Sequence, residues 1–235
     1  MGKLPKYNGE GIMYTTTVTA QIASIPDRVD LLEKVVNSLL PQVDNLNIML
    51  NNYANTPHFC HNLKIKFCHL DNLKGDAAKF HGIKGVEGYI FTCDDDLVYP
   101  PDYVETMVKR LYLHKYSVIL TNHGRIMHEK PVSNSYTDRK AAFHCLKTET
   151  YDGELSIGGT GVMAWHSDYF FPDIERITIK NMADIWVAMF AHEQGVKIML
   201  NPHSEGWIKY LNPQHTIWDD HFPNPKVQTD LYNSF

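Results

Sequence analysis

The residues best suited to chemistry are three consecutive carboxylates, Asp94, Asp95 and Asp96. They stand where an apolar run stops and a proline pair follows, in Gly88-Tyr-Ile-Phe-Thr-Cys-Asp-Asp-Asp-Leu-Val-Tyr-Pro-Pro-Asp102. Adjacent negative charges repel unless a cation lies among them. Hard carboxylate oxygens suit Mg²⁺ or Mn²⁺, ions that keep open positions for a substrate diphosphate. An arbitrary Asp triplet is more often a solvated acidic turn, but the surroundings of this one tip the reading towards metal. Tyr89 to Cys93 mixes aromatic and β-branched residues over the length of a strand, while Pro100-Pro101 forbids extension and favours a helix start. The acids therefore fall at a strand's carboxyl end, the edge at which open α/β sheets bind ligands. In extended chain Asp94 and Asp96 point to one side and Asp95 to the other.

A fourth acid, Asp184, falls in the first turn of a helix expected over Asn181 to Gln194, with Ile185, Ala188, Met189 and His192 on one face and Gly195 as the stop signal. The positive end of the helix favours an ionised base there, although first-turn acids commonly only stabilise helices. Ahead of it, Ser156-Ile-Gly-Gly-Thr-Gly-Val162 sets three glycines within four residues. They permit close backbone approach to a ligand, and alone are a weak phosphate signal. Gly75-Asp76-Ala-Ala-Lys79-Phe80 suits a helix entrance with Lys79 one turn beyond Asp76. Spacing does not choose between a capped helix with a solvated lysine and a ligand-facing cation.

The elements that must position these residues follow from hydrophobic period. Thr15 to Ile25 is a β-branched run expected to form the first, central strand. Leu32, Val35, Val36 and Leu39 make one face of a helix that ends before Pro41. Leu46 to Leu50 is a second strand, ending in Asn51-Asn52-Tyr53, a pair more often found in turns. Strand, helix and strand form a βαβ unit, which calls for a parallel sheet. Ile65 to His69, Ser117 to Thr121 and Val196 to Leu200 read as further strands, and Val104, Met107, Val108 and Leu111 mark another helix face. Residues 126–152 lack period and are expected to form a long connection; the tail, with Trp207, His215 and Trp218, reads as loop.

At 235 residues, with 43% hydrophobic and 21% charged residues, the chain fits one large globular domain. Net charge −5 offers no basic footprint for nucleic acid, and no apolar run reaches membrane-spanning length. The N-terminus lacks a signal peptide's apolar core, so a cytoplasmic location is expected. The four cysteines show no zinc spacing and are expected to stay reduced.

Taken together, Ala23-Ser-Ile-Pro-Asp-Arg28, Gln42-Val-Asp44, Leu50-Asn-Asn-Tyr53, Gly75-Asp-Ala-Ala-Lys-Phe80, Thr92-Cys-Asp-Asp-Asp-Leu-Val-Tyr-Pro-Pro-Asp-Tyr103 and Gly158-Gly-Thr-Gly161 resemble a family-two nucleotide-sugar glycosyltransferase of the GT-A fold. More closely, the set is similar to the transferase modules of bacterial capsule polymerases of the hyaluronan and chondroitin type. The resemblance implies an α/β single domain with a mixed, mainly parallel, Rossmann-like central sheet flanked by helices. It implies a loose leader over 1–12, a transferase domain over 13–211 whose nucleotide half ends near 100 and whose acceptor half follows, and a tail over 212–235 closing over the site. Asp96 and Asp94 would hold Mn²⁺ or Mg²⁺, with Asp94 or Asp95 near the ribose. Ala23, Ser24, Ile25, Asn52 and Asp76 would wall the base, and Lys79 and Arg28 would reach the phosphates. Gly159, Thr160 and Gly161 would border sugar and acceptor. Asp184 would be the catalytic base, although Ala183 replaces the first acid of the commoner Glu-Asp pair, and His203, or else His215, would complete the metal shell. The implied partners are a nucleotide-sugar donor, a UDP-sugar first, and a glycan or glycoconjugate acceptor, with room for peripheral membrane association. Two other readings use the same acids: a metal-dependent nucleotidyltransferase or phosphohydrolase, for which no Gly-x-x-x-x-Gly-Lys loop is present, and a nucleotide- or glycan-binding module without turnover.

Overall fold

The computed structural model describes residues 17–214, 217 and 224–235. The expected leader, the first two residues of the expected first strand, His215 and Trp218 lie outside the described residues. Among the described residues thirteen strands and four α-helices follow in chain order: β1 (Val18–Ser24), α1 (Val29–Leu39), β2 (Asn45–Asn51), β3 (Ile65–Leu70), β4 (Tyr89–Cys93), β5 (Leu97–Val98), α2 (Tyr103–Leu113), β6 (Val118–Thr121), β7 (Gly124–Met127), β8 (Arg139–Phe143), β9 (Glu154–Leu155), β10 (Ile157–Gly158), β11 (Val162–His166), α3 (Ala183–Gln194), β12 (Lys197–Leu200), β13 (Lys209–Tyr210) and α4 (Lys226–Asn233). A 3₁₀ turn spans Gly75–Phe80.

Eight strands form one sheet in the order β3-β2-β1-β4-β11-β6-β12-β9. The stretch β3-β2-β1-β4 is parallel throughout, β11 runs against both its neighbours, and β12 is again parallel to β6. β4 is buried on both faces, which explains why its sequence is apolar without alternation. Its side chains still divide by parity. Phe91 and Cys93 face one core with Leu32, Val35, Val36 and Leu39 of α1 and Val104, Met107, Val108 and Leu111 of α2. Ile90 faces the other core with Trp165 of β11, Phe80 and α3. Each buried aliphatic side chain contributes about 1.5–3 kcal/mol relative to exposure. α3 is buried on nearly all sides, the mark of a helix inside the protein, and Gly195 ends it at φ +65°. Among the described residues no helix is long and apolar enough to cross a membrane.

Two expectations from the sequence fail in the second half. Residues 126–152 are not an unstructured connection: β7 and β8 pair antiparallel, β10 joins them, and Val132 and Cys145 are buried. Nor is the whole tail loop. α4 buries Gln228, Thr229, Leu231 and Tyr232, and Thr229 Oγ1 and Asn233 Oδ1 accept from the backbone N–H groups of Ser135 and Val132. Its burial rests partly on polar residues, so no apolar stripe announces it.

Candidate active site

β4 delivers the Asp triplet to the carboxyl edge of the sheet, beside the ends of β1 and β2. Asp94 N donates to Gly161 O (3.3 Å) and to Tyr99 Oη (2.8 Å), and the Tyr99 hydroxyl donates to Gly161 O at 2.5 Å. Extension ends there. The chain turns at Asp95 and Asp96, so the three carboxylates do not alternate as extended chain would have them. Arg28, from the turn after β1, reaches both Asp95 Oδ1 (2.7 Å) and Asp96 Oδ2 (3.3 Å), while Lys79 pairs with Asp94 Oδ1. Asp95 and Asp96 thus share one cation and Asp94 takes the other. Lys79 is 2% exposed. The lysine expected to reach phosphate lies beneath Asp94 instead, and the half-buried Arg28 stands nearer solvent.

Burial first, and then repulsion from Asp94 and Asp95, outweigh Arg28 and Lys79 and raise the Asp96 carboxyl to about 7. Burial also raises Asp95, opposed first by Arg28. Three acids thus crowd against two cations, with Asp94 itself well exposed at 42% of its side chain. An all-oxygen donor set short of positive charge fits a hard divalent cation such as Mg²⁺ or Mn²⁺.

The glycine-rich turn after β10 joins these acids to Asp184. A Cβ on Gly161 would fall 1.9 Å from Asp94 Oδ2, so only glycine admits the carboxylate there. One residue earlier, Thr160 donates both its N–H (2.7 Å) and its hydroxyl (2.8 Å) to Asp184 Oδ1. Asp184 Oδ2 has no hydrogen-bond partner among the described residues. Gly159 is held in place by its N–H to His123 O and its carbonyl to Thr121 Oγ1.

The residues expected to wall a base divide. Ala23 and Ser24 end β1 in register with β2 and Ile25 follows directly, and Ser24 Oγ lies 3.1 Å from Tyr53 Oη, which donates to Ile25 O. Asn52 is exposed just beyond β2 at φ +59°, a conformation Asn tolerates. Asp76 is turned away to α3, where Oδ2 accepts from Ala183 N (3.2 Å) and Oδ1 is buried without a partner. It supplies from another segment the cap that Met182 cannot provide. Burial pushes its carboxyl up to about 7, with Lys79 opposing. Among the described residues His203 pairs with no carboxylate. Its Nδ1 lies 2.8 Å from Asn201 O and its Nε2 3.3 Å from His144 O, because a backbone bridge to Glu149 fixes it there.

Tyr99 is the site residue that the sequence reading missed. Its only signal, the Tyr-Pro-Pro sequence, marks the end of a strand and says nothing of a hydroxyl that returns to the residue five places earlier.

Residues 27–171, more than half of the chain, match the model of the family described as Glycosyl transferase family 2, and the chain belongs to that family. The match contains Arg28, Lys79, the Asp triplet and the glycine turn, and stops before Asp184. No curated protein matches the chain in sequence. Among solved structures it is similar to the 4-diphosphocytidyl-2C-methyl-D-erythritol synthase of Anaerococcus prevotii DSM 20548, at 12% identity and a TM-score of 0.49 over 91% of this chain and 99% of that one.

Proposed function

We propose that the chain is a metal-dependent, inverting glycosyltransferase that moves a sugar from a nucleoside diphosphate donor, a UDP-sugar first, to a hydroxyl of a glycan acceptor. One observation carries this reading: a single turn touches an exposed, metal-suited carboxylate, Asp94 at Gly161, and a carboxylate with one unpartnered oxygen, Asp184 at Thr160. Membership of the glycosyltransferase family supports it. The finer likeness to capsule-polymerase modules rests on the motif set and their order.

In this reading Asp96 and Asp94 would hold Mn²⁺ or Mg²⁺, which when bound offsets the charge that develops on the departing diphosphate. Arg28, paired with Asp95 and Asp96, is more accessible than Lys79 and would help to offset that charge. Ala23, Ser24, Ile25 and Asn52 at the strand ends receive the base. Thr160 fixes Asp184 Oδ1 with two donors, which leaves Oδ2 to take the proton from the acceptor hydroxyl. The hydroxyl then attacks the anomeric carbon from the face opposite the diphosphate, and configuration inverts.

The test is a thermal-shift panel of UDP, GDP, CMP and dTDP with and without Mn²⁺, since a ligand of the native state raises the melting temperature by mass action. A rise with UDP that requires Mn²⁺, followed by consumption of a UDP-sugar in the presence of a glycan acceptor, supports the proposal. Absence of any nucleotide-dependent rise overturns it; binding without donor consumption would make the protein a binding module.

A further inference from the structure

Beside the glycine turn lies a second group of ligand-type side chains that the transfer reaction does not use. His123 follows β6, and His144 and Cys145 follow β8. One donor atom from each comes within 4.8 Å of the others. The two imidazoles meet edge to face with centroids 4.9 Å apart. His123 Nδ1 is buried without a hydrogen-bond partner among the described residues, an arrangement that is costly unless something takes up the lone pair or the proton. Cys145 is 7% exposed and forms no disulfide, whereas His144 is exposed and opens the group to solvent.

We propose that His123, His144 and Cys145 bind a divalent cation of the Zn²⁺ class, in a site distinct from the oxygen-donor centre at Asp94 and Asp96. The donor chemistry separates the two. Two imidazole nitrogens and a sulfur favour borderline and soft ions, whereas carboxylate oxygens favour Mg²⁺ and Mn²⁺. A tetrahedral ion would hold such atoms roughly 3.3–3.6 Å apart, from its usual bond lengths, so the side chains need only close inward from their present spacing. Burial, with His144 adding to it, lowers His123 to about 3, so its imidazole is neutral and has a lone pair to give. The Cys145 thiol, pushed up to about 12 by burial, ligates as thiolate and passes its proton to solvent as the metal binds. Water completes the fourth position on the His144 side. Asp94 lies within electrostatic reach of both His123 and Cys145, and adds negative potential that favours a cation.

A metal here would fasten the loop after β8 to the β6–β7 turn. That turn packs against Gly159 of the glycine turn, whose N–H donates to His123 O and where a Cβ would come within 3.0 Å of the His123 ring. The ion would thus brace the backbone between the two acids without touching either.

The test is Co²⁺ titration of the chelator-treated full chain, read by the thiolate-to-cobalt charge-transfer absorption that only a sulfur ligand gives. The expected result is saturation at one equivalent, displacement by Zn²⁺, persistence in Asp96→Ala, and loss of the absorption in Cys145→Ser. His144→Ala, at an exposed position that does not threaten folding, is expected to weaken Co²⁺ binding by at least about tenfold, since residues merely supporting a metal site carry that much. No charge-transfer absorption, or one that survives both Cys145→Ser and His144→Ala, overturns the proposal. Loss in Asp96→Ala, or displacement by Mn²⁺ as readily as by Zn²⁺, would merge the group with the oxygen centre and equally overturn it. None of these readouts depends on sugar transfer.

Discussion

Asp94 and Asp184 meet the same short turn from opposite ends, yet their surroundings differ in kind. Asp94 belongs to a crowd: two neighbouring acids, Lys79 on its own oxygen, Arg28 on the other two, and Gly161 cleared of a side chain to admit it. Asp184 makes no ion pair of its own among the described residues: one oxygen is tied by Thr160, the other has no hydrogen-bond partner there, and the partly buried Arg125 acts on it only through its field. A crowd of acids short of positive charge recruits a cation. A single acid with one oxygen engaged keeps the other for a proton. In the proposed function the difference would give charge neutralisation to one end of the turn and proton transfer to the other, and it can be broken at either end.

The largest effect is expected from Asp96→Ala. It should remove the Mn²⁺-dependent part of nucleotide stabilisation and lower transfer by more than about 10³-fold, since the electrostatic partner of the leaving group is lost. A melting-temperature rise that still needs Mn²⁺ would move the metal elsewhere. Asp184→Asn is expected to lower transfer by about 10²–10⁴-fold while leaving the nucleotide shift intact, the signature of a lost general base. Loss of both would make Asp184 structural and erase the contrast.

The smallest effect concerns Asp76, which lies between the two ends and resembles neither. Its carboxyl is raised to about 7 in the folded chain, so folding binds a proton that the unfolded chain releases above about 4. Stability contributed by this group is therefore present at low pH and lost as pH rises through about 7, by at most roughly 4 kcal/mol. Urea unfolding of the wild type and Asp76→Asn across roughly pH 4.5–8, the window set by those two values, checks the sign: the substituted chain should show the flatter profile.

Much of this arrangement is legible in the sequence because the first half is built of long periodic segments. The i, i+3, i+4, i+7 residues of α1 and α2 are all buried as their spacing predicts, and β4 ends at the acids. The second half hides its structure. β9 and β10 are two residues each, too short for any period, and α4 buries Gln228 and Thr229 where an apolar face would be sought. The site shows the same division. The acids and the glycines stand out as residue types, but which cation meets which acid depends on a turn at Asp95 that local spacing does not reveal. Asp76 caps a helix 107 residues away, and a contact of that separation leaves no trace in local pattern.

The Gly75–Phe80 turn grips both ends of the site at once. Lys79 holds Asp94, and three residues earlier Asp76 holds the amide of Ala183, the neighbour of Asp184. Gly75 sits so close to Asn181 that a Cβ would fall 2.0 Å from its amide oxygen, which seats the turn against the approach to α3. The turn therefore works as a gauge block: the one helical step from Asp76 to Lys79 ties the surroundings of the two acids to one short segment. In the proposed function, the room left for a sugar between the two acids would then be set by a segment behind them.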